Sequence, residues 1–197
     1  MQDTYRTIAK EGEGFYSEKR SKFLAFSFHV ETEQQIKEIL SSLRKKYYDA
    51  RHVCYAYVLG VEDVGNGVAY RMNDDGEPSS TAGKPIYGQI IKSELTNTLV
   101  AVVRYYGGVN LGTSGLIVAY REATADCLSN SVIEERIIEE TITHTFNYVE
   151  MNAVMKVVKD LQPRIVEQHF DNTCSITLAI KRSQMPRLVT ALKNIAF

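Results

Sequence analysis

The chain has 197 residues, 44% of them hydrophobic and 24% charged, and a formal net charge of −1. This composition is that of a globular protein, not a disordered or fibrous one, and the length suits one large domain or two small ones. Residues 1–130 hold 15 Lys/Arg against 16 Asp/Glu and residues 131–197 hold 8 of each, so any nucleic-acid contact must come from a local patch and not from the bulk field.

The first residues contain no apolar run of signal-peptide length, and no stretch approaches the roughly 18–20 apolar residues of a membrane span. The expectation is a cytoplasmic protein with no membrane partner. Cys54, Cys127 and Cys174 lie far apart with no C-x-x-C spacing. They read as reduced, buried thiols and not as disulfides or metal ligands.

In chain order, Tyr5 to Ala9 reads as a short strand, Gly12 and Gly14 as a turn, and Phe23 to Val30 as an aromatic-rich strand. Thr32 and Gln35 have capping-box spacing, and Ile36, Ile39, Leu40 and Leu43 follow on one helical stripe. From His52 to Leu59, residues Val53, Tyr55, Tyr57 and Leu59 alternate on one face of a strand. Gly65-Asn66-Gly67 predicts a hairpin turn into a strand over Val68–Met72. Pro85 fits the first turn of a helix carrying Ile86, Ile90 and Ile91. Thr98 to Val103 is apolar and short enough to be a buried central strand, and Leu116 to Leu128 reads as a helix capped from Thr113 or Ser114.

Residues 129–136 read as a junction. Beyond it the pattern is strand (137–149), helix (151–161), strand (164–171), strand (173–180) and helix (183–194), with Asp171-Asn172 as a tight turn. This β-α-β-β-α order is one strand short of a split βαβ, ferredoxin-like unit. The fold class expected is α+β in two domains, over residues 1–130 and 137–197.

Two loops carry the functional signal, each between a predicted strand and a predicted helix. Loop one runs from Arg71 through Asp74, Asp75, Gly76, Glu77, Pro78, Ser79, Ser80, Thr81, Ala82 and Gly83 to Lys84 and Pro85. Loop two runs from Arg104, Tyr105 and Tyr106 through Gly107, Gly108, Val109, Asn110, Leu111 and Gly112 to Thr113, Ser114 and Gly115. At such junctions backbone N–H groups are unpaired and the positive end of the helix dipole faces outward. Gly107, Gly108, Gly112 and Gly115 could line a phosphate cradle, with Arg104 as a bidentate partner. Glycine-rich turns also occur without ligands. Neither a Walker A loop nor a G-x-G-x-x-G fingerprint is present, so ATP and NAD are disfavoured and no cofactor is expected. Asp74, Asp75 and Glu77 lack EF-hand spacing; they read as caps, or as partners of Arg71 or Arg104, and not as a metal site. His52 and Cys54 share a strand face about 7 Å apart, too far for a direct hydrogen bond, so His52 reads as a prop for loop one.

The stretch Asp74 to Pro85, followed by Val103 to Leu116, closely resembles the IMPACT family in its bacterial YigZ-type branch. Lys19-x-Ser-Lys-Phe23 and His52-Val-Cys-Tyr-Ala56 fall where that family has similar segments. The resemblance covers essentially the whole chain. It implies a first domain like the second domain of ribosomal protein S5. It also implies a C-terminal ferredoxin-like domain, like the last domain of translocating elongation factors. Family precedent points to translational control. In eukaryotic members this works through an additional N-terminal RWD domain for which 197 residues leave no room, so that interaction is not carried over. Ser80 stands where the family pattern has glycine, and Thr113-Ser114 where it is small or glycine.

Three functions follow as alternatives. The first is a regulator of translation or stress response that binds RNA or the ribosome. Its face would comprise Lys22, His52, Arg71, Asp75, Glu77, Lys84, Arg104, Tyr105, Gly107, Gly108 and Gly112, with Tyr105 and Tyr106 offering stacking surfaces. The second is an enzyme acting on a phosphorylated small molecule or nucleotide, with Asp75, Glu77, His52 and the loop-two amides as its candidate groups and no catalytic role assigned to any of them. The third is an interaction scaffold whose loops are structural.

Overall fold

The computed structural model describes residues 3–61, 67–171 and 173–195. The turns expected at Gly65-Asn66-Gly67 and Asp171-Asn172 include residues outside this set. Arg6–Glu135 form one compact unit, and Arg136–Phe197 together with Met1–Tyr5 form another.

In the first unit, strands β2 (Glu13–Glu18), β3 (Ser21–His29), β4 (His52–Leu59), β5 (Ala69–Asn73) and β6 (Thr98–Tyr105) make a sheet of order β2-β3-β6-β4-β5, antiparallel throughout. The apolar run expected as a central strand is β6. Its two faces are buried in different cores, which is why it reads as a continuous apolar block instead of an alternation.

Helix α1 (Glu33–Lys46) covers one face. Its Ile36, Leu40 and Leu43 pack with Val53, Tyr55, Tyr57 and Leu59 of β4, the alternating set read from the sequence. The Thr32–Gln35 capping box is present, with both reciprocal hydrogen bonds formed. Helices α2 (Gly83–Lys92) and α3 (Gly112–Ser129) cover the other face. There Ile86, Ile90, Ala119, Tyr120 and Ala123 meet Phe23, Cys54, Ala56 and Val102. Ile91 is exposed, so the α2 stripe is narrower than expected.

Two expectations are corrected. Helix α3 starts at Gly112, before Thr113 and Ser114; Leu111 is the flanking residue, and no side chain caps the helix. The segment read as a junction contains a strand, β7 (Val132–Ile137), which pairs with β1 (Thr4–Lys10) in a two-stranded sheet. Ile133 packs against the same core as α3, which gives β7 an apolar anchor.

In the second unit, β8 (Glu139–Phe146), α4 (Met151–Leu161), β9 (Arg164–Phe170), β10 (Cys174–Lys181) and α5 (Met185–Lys193) give the expected β-α-β-β-α order. The antiparallel sheet has order β8-β10-β9. Val154, Ile176, Leu178, Leu188 and Leu192 form its core. The register sets Thr145 against Ser175 and Thr143 against Thr177 on the opposite sheet face. Asp3 joins this unit, its carboxylate accepting from the Ser183 amide at 2.9 Å and pairing with Lys181 at 3.1 Å. The Ser183 side chain foremost, with Lys181 and the Ser183 amide, holds its carboxyl below the usual carboxylate range.

All three cysteines are free and buried. Among the described residues, no helix is long and apolar enough to cross a membrane.

Thr32→Ala removes the α1 cap without touching either core. It is expected to lower stability by about 1 kcal/mol, read as a shift of the urea midpoint at unchanged m-value.

Candidate functional site

Loop one is built by its own acids. The Asp74 carboxylate accepts from the amides of Ser80 at 2.9 Å, Ala82 at 3.0 Å and Gly83 at 2.8 Å. It therefore satisfies first-turn donors of α2 from outside the helix. Asp75 accepts from both Arg44 guanidinium nitrogens at 3.0 and 3.2 Å and from the Val53 amide at 2.7 Å. Its carbonyl receives the His52 Nδ1 proton across 2.6 Å. His52 thus props loop one, as expected. Asp75, however, pairs with Arg44 of α1 and not with Arg71 or Arg104. Ser80, at φ +63°, occupies the left-handed region that favours glycine.

Glu77 points inward. Its Oε1 accepts from Arg104 Nη1 at 2.5 Å and from the Tyr120 hydroxyl at 2.8 Å, with 3% and 6% of the Glu77 and Arg104 side chains exposed. Cys54 Sγ lies 3.3 Å from the same tyrosine hydroxyl and 3.1 Å from the Asp74 carbonyl. Burial, reinforced by the neighbouring acids, pushes the Cys54 thiol and the Tyr120 phenol far up, so both stay protonated. Arg104 lies over the ring faces of Phe23 and Tyr106, at 5.5 and 5.6 Å, and its Nε has no hydrogen-bond partner.

A cleft of about 540 Å³ opens above this pair, lined by Arg51, His52, Glu77, Arg104, Tyr106 and the start of α3. Its size is that of a small-molecule site. The first turn of α3 holds no acidic residue. Among the described residues no group of His, Cys, Asp and Glu is placed to hold a metal ion.

The sequence-selected residues divide in space. His52, Glu77, Arg104 and Gly112 meet at the cleft, where the fold adds Tyr106 and Arg51. Gly107 sits behind it: its amide donates to Ser21 Oγ at 3.1 Å, and a Cβ there would collide with the Arg20 carbonyl carbon and the Ser21 amide nitrogen. Gly108 and Gly112 adopt φ +85° and +73°, beside open space. Tyr105 turns to the opposite sheet face, where its hydroxyl donates to Asp49 at 3.0 Å; Lys22 pairs across from it. Arg71 lies opposite Tyr57, five positions along β4 from His52 and about 17 Å away. Lys84 is exposed on the first turn of α2. Tyr120 was hidden from the sequence reading. Its one signal is a bulky phenol on a buried helix face whose neighbouring positions, Ala119, Ala123, Thr124 and Cys127, are small.

The Impact N-terminal domain model matches residues 19–128. The chain belongs to the IMPACT family. It is 29% identical over 184 residues to the IMPACT family member YvyE of Bacillus subtilis, covering 93% of this chain and 83% of that one. It is 27% identical to the family member YigZ of Escherichia coli over 90% of this chain and 86% of YigZ. A Haemophilus influenzae family member is 32% identical over 82% of this chain and 78% of its own length. A crystal structure of a hypothetical protein superposes with a TM-score of 0.75 at 25% identity, covering 98% of this chain and 93% of that one. The family match begins at Lys19 and ends just past Cys127, so it takes in both loops and the whole cleft.

Arg104→Ala would leave the Glu77 carboxylate buried without its cation. The expected loss is about 3–5 kcal/mol in urea unfolding, with Arg104→Met plus Glu77→Leu recovering most of it.

Burial also pushes the Cys127 thiol from 9.0 up to about 12. A raised thiol pKa means the unfolded chain loses its proton first. The stabilisation is therefore complete below about pH 9 and is lost as pH rises toward 12, at about 1.4 kcal/mol per unit. Cys127→Ala is expected to flatten the fall of the urea midpoint between pH 9 and 11.

Proposed function

We propose that this chain is a cytoplasmic regulator of translation or stress response that engages RNA or the ribosome through the cleft face of its first unit. The observation that carries the reading is the excess of donors at the cleft. Arg51 stands exposed at the mouth, Arg104 has an unused Nε, and the first turn of α3 bears neither a side-chain cap nor an acid. Phosphate groups are the ligands that such a donor set suits. The turn carrying Lys19 and Arg20 packs against loop two at Gly107, and Lys22 follows it, so further positive charge lies at this end of the sheet. Tyr106, 48% exposed, offers a ring for stacking.

The sheet orders support reading the first unit as an S5 domain 2-type domain and the second as ferredoxin-like. The RNA contact is assigned to the first unit. On the second, the outer sheet face carries Thr143, Thr145, Ser175 and Thr177, with Glu167 and His169 of β9 beside them, and among the described residues the register sets no Phe or Tyr on it.

The test is sucrose-gradient sedimentation of lysate at low and high salt, with wild type and the Arg51→Glu variant. The Arg51 side chain is exposed, so the variant is expected to fold normally. Co-migration with ribosomal particles that is lost on raising salt, and lost in the variant, is the expected result. A slowly sedimenting protein under every condition contradicts the proposal.

A further inference from the structure

Resting on the phosphate-binding reading of the cleft, we infer that its ligand is a terminal phosphomonoester on a nucleoside, not an internal phosphodiester of a passing strand. The chemistry has two sources, a free nucleotide or the phosphorylated end of an RNA.

Three features point this way. The first is depth. Arg104 is 5% exposed, with its guanidinium set against Phe23 and Tyr106, so a strand lying across the surface does not reach it, whereas a chain end does. Its Nε is a buried donor with no acceptor, a costly arrangement unless a ligand supplies one.

The second is charge. Around the cleft Arg51 and Arg104 face one carboxylate, Glu77, and the α3 dipole adds a further fraction of a positive charge at an end with no side-chain cap. Gly112, at φ +73° with open space beside its α-carbon, brings the backbone to the cleft without a side chain in the way. Among the described residues, Arg51 has no acidic partner. A dianion neutralises this surplus of about one and a half charges in full, and the single charge of a diester does not.

The third is the proton inventory. His52 Nδ1 must carry its hydrogen, because it faces the Asp75 carbonyl at 2.6 Å and a carbonyl only accepts. The ring's Nε2 stops 3.9 Å from Glu77 Oε2, beyond hydrogen-bond reach, so neither atom is satisfied by the other at the cleft wall. A phosphomonoester brings three terminal oxygens, one of which can carry a proton, to this wall; a diester brings two and no proton. The exposed Tyr106 ring, held by its hydroxyl bond to Asn110 Oδ1 at 3.1 Å, stands where an attached base can stack.

The test measures binding of the full chain to short RNAs of one sequence bearing hydroxyl or phosphate ends, and to nucleoside monophosphates, by fluorescence anisotropy and calorimetry. The discriminating variant is Thr113→Asp. It sets a carboxylate on the exposed first turn of α3, where it favours the helix and displaces an anion. Its thermal midpoint is expected to be unchanged or raised. In wild type, end-phosphorylated RNA is expected to bind at least tenfold more tightly than hydroxyl-ended RNA, and Thr113→Asp to abolish that preference. Nucleotides that bind wild type and not Thr113→Asp, with no RNA bound, would support this inference and remove the RNA reading. RNAs that bind equally whatever their ends, with nucleotides inert, would overturn it and leave the RNA reading standing. No binding by any probe overturns both.

Discussion

Glu77 arrives on a loop that has no regular structure of its own, and Arg104 arrives one residue before the end of the central strand of the sheet. They meet 2.5 Å apart with almost no water around them. Neither charge is tolerable there alone, so each holds the other's chain segment in place. The Tyr120 hydroxyl adds a second donor to the same oxygen and extends the constraint to α3. One carboxylate thereby fixes loop one, the central strand and the helix whose first turn opens on the cleft. Oε1 takes both bonds, and the buried Arg104 Nε is left without a partner.

The acids of loop one divide the remaining work. Asp74 turns toward α2 and serves its amides; Asp75 turns toward α1 and β4 and holds Arg44. Three neighbouring carboxylates that resemble a cation site in one dimension face three different directions in space. The loop is a clamp across the sheet edge, and its acidity is consumed internally. Loop two differs. Its glycines and uncapped helix start leave donors unclaimed, and the first turn of α3 carries no acid.

Much of this was legible in the sequence wherever the governing interaction is local. The Thr32–Gln35 box, the alternation from Val53 to Leu59, the apolar run that became β6 and the β-α-β-β-α order all depend on residues a few positions apart. What escaped notice depends on distant partners. Arg44 and Asp75 are 31 positions apart, and Tyr120 and Glu77 are 43 apart, so no spacing rule links either pair. The start of α3 was misplaced for a different reason. Thr113 and Ser114 are good capping residues by type, but the chain reverses at Gly112 and enters the helix before reaching them. Among the candidate site residues, His52, Glu77, Arg104 and Gly112 converge because they sit at one end of the sheet or at one helix start. Arg71 was linked to them by charge alone, and the strand register carries it away.

The three-stranded sheet of the second unit has two outer strands, and both raise the problem of unwanted polymerisation. All of the 7 residues of β9 are exposed, and they include Arg164, Glu167 and His169. Glu139 and Glu140 open β8, and Thr141, Thr143 and Thr145 follow on alternate positions. Charges spaced along open backbone make strand-on-strand growth between copies unfavourable while leaving the main-chain groups hydrated. On β9 those charges are interleaved with the exposed Ile165, Val166 and Phe170, so it is the charged side chains that weigh against pairing of this strand between copies.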